Sequence, residues 1–192
     1  MTEDNSALAL DSRVMEVLRL ATTEAAVRPA DSPGQFKFKF DSDKTYFFER
    51  TVSGWVRVMS SSRRQQPVFI ADFAAMEYVN RYFAMLGGKI LRNIRGLPML
   101  AESLRASSVS VGSQVQPGTV RVNDEVRSVE ILAFGDTPAA RFPSAVISRV
   151  SQAAGASWFL NHSVAQILAS QEDDKGRPLF TVASDVFGGG EV

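Results

Sequence analysis

Gln35-Phe-Lys-Phe-Lys-Phe40, Thr45-Tyr-Phe-Phe-Glu-Arg-Thr-Val52 and Trp55-Val-Arg-Val-Met-Ser60 follow one another with only short turns between them, and they decide the fold class. In the first, Phe36, Phe38 and Phe40 share one face while Lys37 and Lys39 take the other, the period of a half-buried strand with a solvated back. The next two are rich in aromatic and β-branched residues and are joined through Ser53-Gly54, a hairpin signal. Beyond the polar loop Ser61–Gln66, Pro67 opens a fourth strand, Val68–Ala71, so this part of the chain reads as an antiparallel meander.

Helices flank the meander. Leu10, Val14, Val17, Leu18 and Ala21 recur at three- and four-residue spacing and predict a helix over about Ala9–Glu24. Arg28-Pro-Ala-Asp-Ser-Pro-Gly34 cannot continue it. Downstream, Asp72 is placed to cap a long helix toward Arg95, whose stripe is Met76, Val79, Phe83, Leu86 and Ile90. Gly87-Gly88 interrupts that stripe, and each glycine costs about 1 kcal/mol relative to alanine in a helix interior, so a kink or break is expected there. Gly96-Leu-Pro98 ends the element.

Glu102–Gly118 has little pattern. Thr119–Val122 and Val126–Phe134 read as a second strand pair around Asn123-Asp124, with Gly135-Asp-Thr-Pro138 as a loop. Two helices are expected next, about Ser144–Leu160 and Val164–Ser170. Ile147, Val150, Ala154 and Trp158 mark the buried face of the first, and Ser163 with Gln166 forms a capping box for the second. Leu179–Val182 reads as an edge strand and residues 183–192, with Gly188-Gly-Gly190, as a flexible tail. The expectation is one α+β domain over residues 1–192, its core spanning 35–182: an antiparallel sheet of five to seven strands with helices packed on one face.

Composition excludes several functions. The chain has 192 residues, 21 basic against 21 acidic, with a pI near 6.6, and lacks the broad cationic face that nucleic-acid binding usually needs. It has no cysteine, which removes disulfides and thiolate chemistry. Met1-Thr-Glu-Asp-Asn5 is acidic and lacks a signal-peptide pattern, and no apolar run nears the ~20 residues that span a bilayer, so a cytoplasmic protein without membrane partners is expected.

Candidate chemistry is sparse. His162 is the single histidine; it sits at a helix corner, where a capping role outweighs membership of a Ser-His-Asp set, and it leaves little basis for a metal site. Leu86-Gly-Gly-Lys89 lacks the spacing of a phosphate loop and lies inside a helical pattern. Asp41/Asp43 and Glu172-Asp-Asp174 read as solvated loop charge more readily than as acid–base pairs. Arg63, Arg64, Arg92 and Arg95 are candidate rim charges for an acidic protein partner. No catalytic, metal or cofactor-binding residue is expected.

Four segments carry a resemblance. They are Tyr46-Phe-Phe48 with Val52-Ser-Gly-Trp55 and a strand ending near Arg63-Arg64; Arg81-Tyr-Phe83 with Gly87, Gly88, Ile90, Arg92 and Arg95-Gly-Leu-Pro98; Phe159-Leu-Asn-His-Ser163 with Ile167 and Ser170; and Asp174-Lys-Gly-Arg-Pro-Leu-Phe180. Together the chain resembles the tuberculosis-necrotizing-toxin antitoxin family of bacterial immunity proteins, found mainly in actinobacteria. That resemblance implies an intracellular antidote that binds a secreted NAD-degrading toxin domain in the producing cell and sterically blocks its NAD site, with no catalytic residues of its own. The alternative is a non-catalytic interaction module such as a secretion chaperone or adaptor.

Overall fold

The computed structural model describes residues 8–22, 24–32, 34–63, 65–100, 108–144 and 151–182. The expected tail (183–192), Arg64, residues 145–150 with Ile147 and Val150, and residues 101–107 lie outside them. The described elements run in chain order as α1 (Ser12–Ala21), β1 (Ala26–Arg28), β2 (Gln35–Lys39), β3 (Lys44–Arg50), β4 (Val56–Ser62), β5 (Val68–Phe73), α2 (Met76–Ile94), β6 (Ser113–Val122), β7 (Glu125–Phe134), β8 (Thr137–Pro143), α3 (Gln152–Ser157) and α4 (Val164–Glu172). The class is α+β, with one antiparallel sheet in the order β1-β2-β3-β4-β5-β8-β7-β6.

Among the described residues that sheet has eight strands, above the five to seven expected. The surplus comes from β1, whose three residues carry no legible alternation, and from β8, which begins inside the stretch read as a loop. Pro138 demotes β8 in a sequence reading, yet it pairs with Ala133 just past a register shift at Leu132/Ala133, where the ladder is already irregular. β6 starts six residues before the expected Thr119 because Pro117 is tolerated on an edge strand. Of the expected edge strand Leu179–Val182, the described residues show one bridge, Leu100↔Val182.

Strand alternation sends one set of side chains toward the helices. Phe38, Tyr46, Phe48, Val56, Val58, Ala71, Phe73, Leu132, Ala140 and Phe142 join residues of all four helices in the main core. Phe83 of α2 lies at its centre, with ring centroids 4.9 Å from Tyr46 and 5.3 Å from Phe48. The opposite face carries a smaller cluster, Met59, Phe69, Val120, Val122 and Val129. Here β4–β5 meet β6–β7 across a fold in the sheet, because β5 and β8 share only two residue pairs, Asp72↔Arg141 and Phe73↔Ala140.

Two expectations about α2 are corrected. Asp72 does not cap it: Asp72 lies in β5, the N-cap is Ala75 without a side-chain bond, and the helix begins at Met76. Nor does Gly87-Gly88 break it, for α2 runs unbroken over 19 residues. The glycines are packing surfaces instead. A Cβ on Gly87 would fall 2.9 Å from Val17 of α1, and one on Gly88 would fall 2.5 Å from Cγ of Gln171 in α4. The capping box Ser163/Gln166 is present at α4, and no described helix is long and apolar enough to cross a membrane.

Candidate functional site

The face of the sheet turned away from the described helices carries a row of charges across its central strands. Arg57 sits between the buried Val56 and Val58, Asp72 between Ala71 and Phe73, and Arg141 between Ala140 and Phe142. A period of two therefore turns all three to the back of the sheet. Register then aligns them: Glu49 pairs with Arg57, Arg57 with Asp72, and Asp72 with Arg141, so charge alternates across β3, β4, β5 and β8. Opposite charges on directly paired residues stabilise a sheet.

The row is unevenly satisfied. Arg57 grips Asp72 through both ends, Nε to Oδ1 at 2.9 Å and Nη2 to Oδ2 at 3.0 Å, the bidentate geometry that suits a guanidinium. Its Nη1 donates to the Arg121 carbonyl at 2.9 Å, tying β4 to β6. The Asp72 side chain is 0% exposed; the hydrogen bond to it holds the Arg57 pKa above the ordinary value. Arg141 has less. Its Nη1 lies 4.0 Å from Asp72 Oδ2, beyond hydrogen-bond range, and its buried Nε has no hydrogen-bond partner. Burial pushes the Arg141 pKa down, and the neighbouring Arg57 adds to that against the pull of Asp72. The Trp55 ring supports it from below, with the guanidinium carbon 3.7 Å from the centroid, a cation–π contact.

Around this row the fold in the sheet leaves an open cleft of about 700 Å³, lined by residues 49–53 and by Arg57, Asp72, Thr119, Val120, Arg121 and Arg141. Arg57 and Arg141 meet Asp72 in this cleft, and Arg121 enters it with its backbone carbonyl. One lip is the β3–β4 turn, closed by Thr51 N to Trp55 O at 2.8 Å. Gly54 there has φ +83°, a conformation that excludes side chains at little cost only to glycine, and Val52 at the tip is fully exposed.

The sequence candidates do not converge on one place. Arg63 is exposed and pairs with Asp43 at 3.2 Å; Arg64 lies outside the described residues. Arg95, at the end of α2, is 4.0 Å from Glu172. Arg92 is only 3% exposed, and its guanidinium donates to the carbonyls of Pro98, Gln171, Asp173 and Asp174. It ties α2 to the end of α4 and offers no rim charge. Asp41 and Asp173 close turns by accepting backbone amides, and those from Arg177 and Lys175 hold the Asp173 carboxyl below its ordinary range. His162 lies in the turn before α4, its pKa lowered by burial and by Arg81. Lys89 is interior to α2. Among the described residues no cluster of His, Cys, Asp or Glu could hold a metal ion.

Arg57 and Arg141 escaped the sequence reading, and Asp72 was read there as a helix cap, although each carries a signal: a charge set singly in an apolar alternation. Their convergence depends on the β5–β8 pairing between residues far apart in the chain, which no local pattern encodes.

Comparison with known proteins bears on the whole of this region. The family model described as immunity protein 61 matches residues 20–179. A solved structure, Rv3902c from M. tuberculosis, superposes with a TM-score of 0.75 at 21% identity, covering 94% of this chain and 98% of that one, a likeness of fold. No curated protein matches the chain.

Proposed function

Because the chain belongs to the immunity protein 61 family, we propose that it is an antidote which binds an NAD-degrading toxin domain in the cytoplasm of the producing cell and blocks it sterically. The match over residues 20–179 carries the reading; that span includes every strand of the sheet and all residues of the cleft. Blocking requires a stable complex over the toxin's own cleft, burying on the order of 1,200–2,000 Å². It asks no acid, base or nucleophile of this chain, only a rigid surface of matching shape and charge. The NAD specificity rests on the resemblance of the four segments named above. The test is NAD hydrolysis by the purified toxin domain encoded nearest this gene, with and without the full chain. Loss of hydrolysis at a 1:1 ratio supports the proposal; full hydrolysis beside a complex seen on gel filtration would sink the blocking mechanism.

A further inference from the structure

Resting on the antidote reading, we propose that the outer edge of β6 takes up an extended segment of the toxin domain, which joins the sheet as a further strand and carries an apolar side chain over Gly118.

The two ends of the sheet are unlike. Among the described residues, β1 closes one end with three residues, whereas β6 closes the other with ten. A very short edge strand is one way in which a sheet avoids unwanted pairing, and β6 does without it. The turn after β6 fixes which of its backbone groups face outward. Asn123 and Asp124 both have positive φ, the two-residue hairpin geometry in which the flanking residues, here Val122 and Glu125, exchange both bonds. Alternation then turns the even-numbered residues of β6 toward β7 and the odd-numbered ones, from Ser113 to Arg121, away from it. The Arg121 carbonyl, which accepts from Arg57 of β4, and the Ser113 amide, which donates to the Ser110 carbonyl, fit that division. Pro117, with no amide to offer, falls in the outward set. Among the described residues this leaves the amides and carbonyls of Val115 and Thr119, and the carbonyl of Pro117, without a backbone partner.

Such a row asks for donors and acceptors at the spacing of a strand, which another extended backbone supplies. Pro117 decides between a second copy and a different protein. Two β6 strands paired about a two-fold axis centred on this stretch would lose the bond of the missing amide twice. A segment of another protein loses it once. Gly118 adds a side-chain preference. A Cβ there would fall 2.5 Å from Cδ1 of Ile131, so Ile131 of β7 reaches across the glycine toward the edge. An apolar side chain on the added strand would cover it and extend the cluster that holds Val120 and Val129.

The test is amide hydrogen exchange of the full chain, alone and with the purified toxin domain encoded nearest this gene, beside the affinity of two variants. In the chain alone the Val115 and Thr119 amides should exchange fast while those of Gln116, Gly118 and Val120 are slow; in the complex all five should be slow. Thr119 is exposed, and Thr119→Pro removes an outward amide while leaving the bonds to β7 in place. It should weaken binding by about tenfold or more. Thr119→Ala keeps the amide and should change affinity by less than about threefold. A wild-type complex in which the Val115 and Thr119 amides still exchange fast overturns this site and leaves the antidote reading intact. Equal affinity of Thr119→Pro and Thr119→Ala does the same. Protection that grows with the concentration of the chain alone overturns the choice of the toxin and makes a second copy the occupant. Slow exchange at both amides in the chain alone, at every concentration, overturns the free edge. A wild-type chain that forms no complex with the toxin removes the antidote reading, and this site with it.

Discussion

The two faces of one sheet are held by different forces. On the helix-covered face, Phe48, Phe73, Phe83 and Phe142 are all but removed from water and meet edge to face or tilted. On the bare face, Arg57, Asp72 and Arg141 are brought into line by register and held by directed bonds. Apolar burial is non-directional and tolerates small shifts, whereas an ion row works only while each charge keeps its partner. The covered face therefore holds the larger apolar core, and the bare face holds a smaller apolar cluster beside a fixed pattern of charge.

The sharpest way to break this contrast is Phe83→Ala. Emptying the centre of the aromatic cluster should cost about 3–5 kcal/mol, measured as a lowered midpoint in denaturant unfolding. Asp72→Ala should cost roughly 3 kcal/mol, because it strands two arginines. Replacing both partners, Arg57→Met with Asp72→Leu, should recover most of that loss. A double variant as unstable as the sum of the single ones would show that the charge row stabilises the fold beyond its geometry.

Alkaline unfolding tests the covered face. Burial, with a smaller contribution from Tyr46, raises the Tyr82 phenol to about 12 against an ordinary 10.0. As pH rises the unfolded chain releases this proton first, so stability is intact below 10 and falls between 10 and 12. The loss should be roughly 1–2 kcal/mol, since the ring reaches the surface in part. Tyr82→Phe should make that limb shallower without removing it, because burial and then Asp41 also raise the Tyr46 phenol; an unchanged slope would remove Tyr82 from the account.

Gly88→Ala should destabilise by about 1 kcal/mol. The gain in helix propensity is offset by a Cβ placed 2.5 Å from Gln171 Cγ and 2.9 Å from its Cβ, where Gln171 is itself buried. Increased thermal stability would mean that α4 yields at this contact. Least of all, Arg63→Ala should shift stability by under about 0.5 kcal/mol, because its pair with Asp43 is exposed.

Much of this was legible in the chain. Phe36 to Ser60 announced an antiparallel meander because period-two alternation is a local property, and Ser163/Gln166 announced a helix start for the same reason. Asp72 misled for a physical reason: a carboxylate just ahead of an apolar helical stripe is a cap unless a distant arginine claims it, and Arg57 does so across a strand pair. Gly87-Gly88 misled similarly, since a glycine's helix cost is local whereas the closeness of α1 and α4 that it permits is not.

Residue order alone carries the α+β class, the antiparallel meander of β2 through β5, the apolar stripe of α2 and the resemblance to immunity proteins. The assembled sheet alone places β8 between β5 and β7, and with it come the row from Glu49 to Arg141 and the cleft above it. Side-chain periodicity is written residue by residue, but which strand lies beside which is settled by the packing of the whole sheet, and the charges of this site become neighbours only once that has happened.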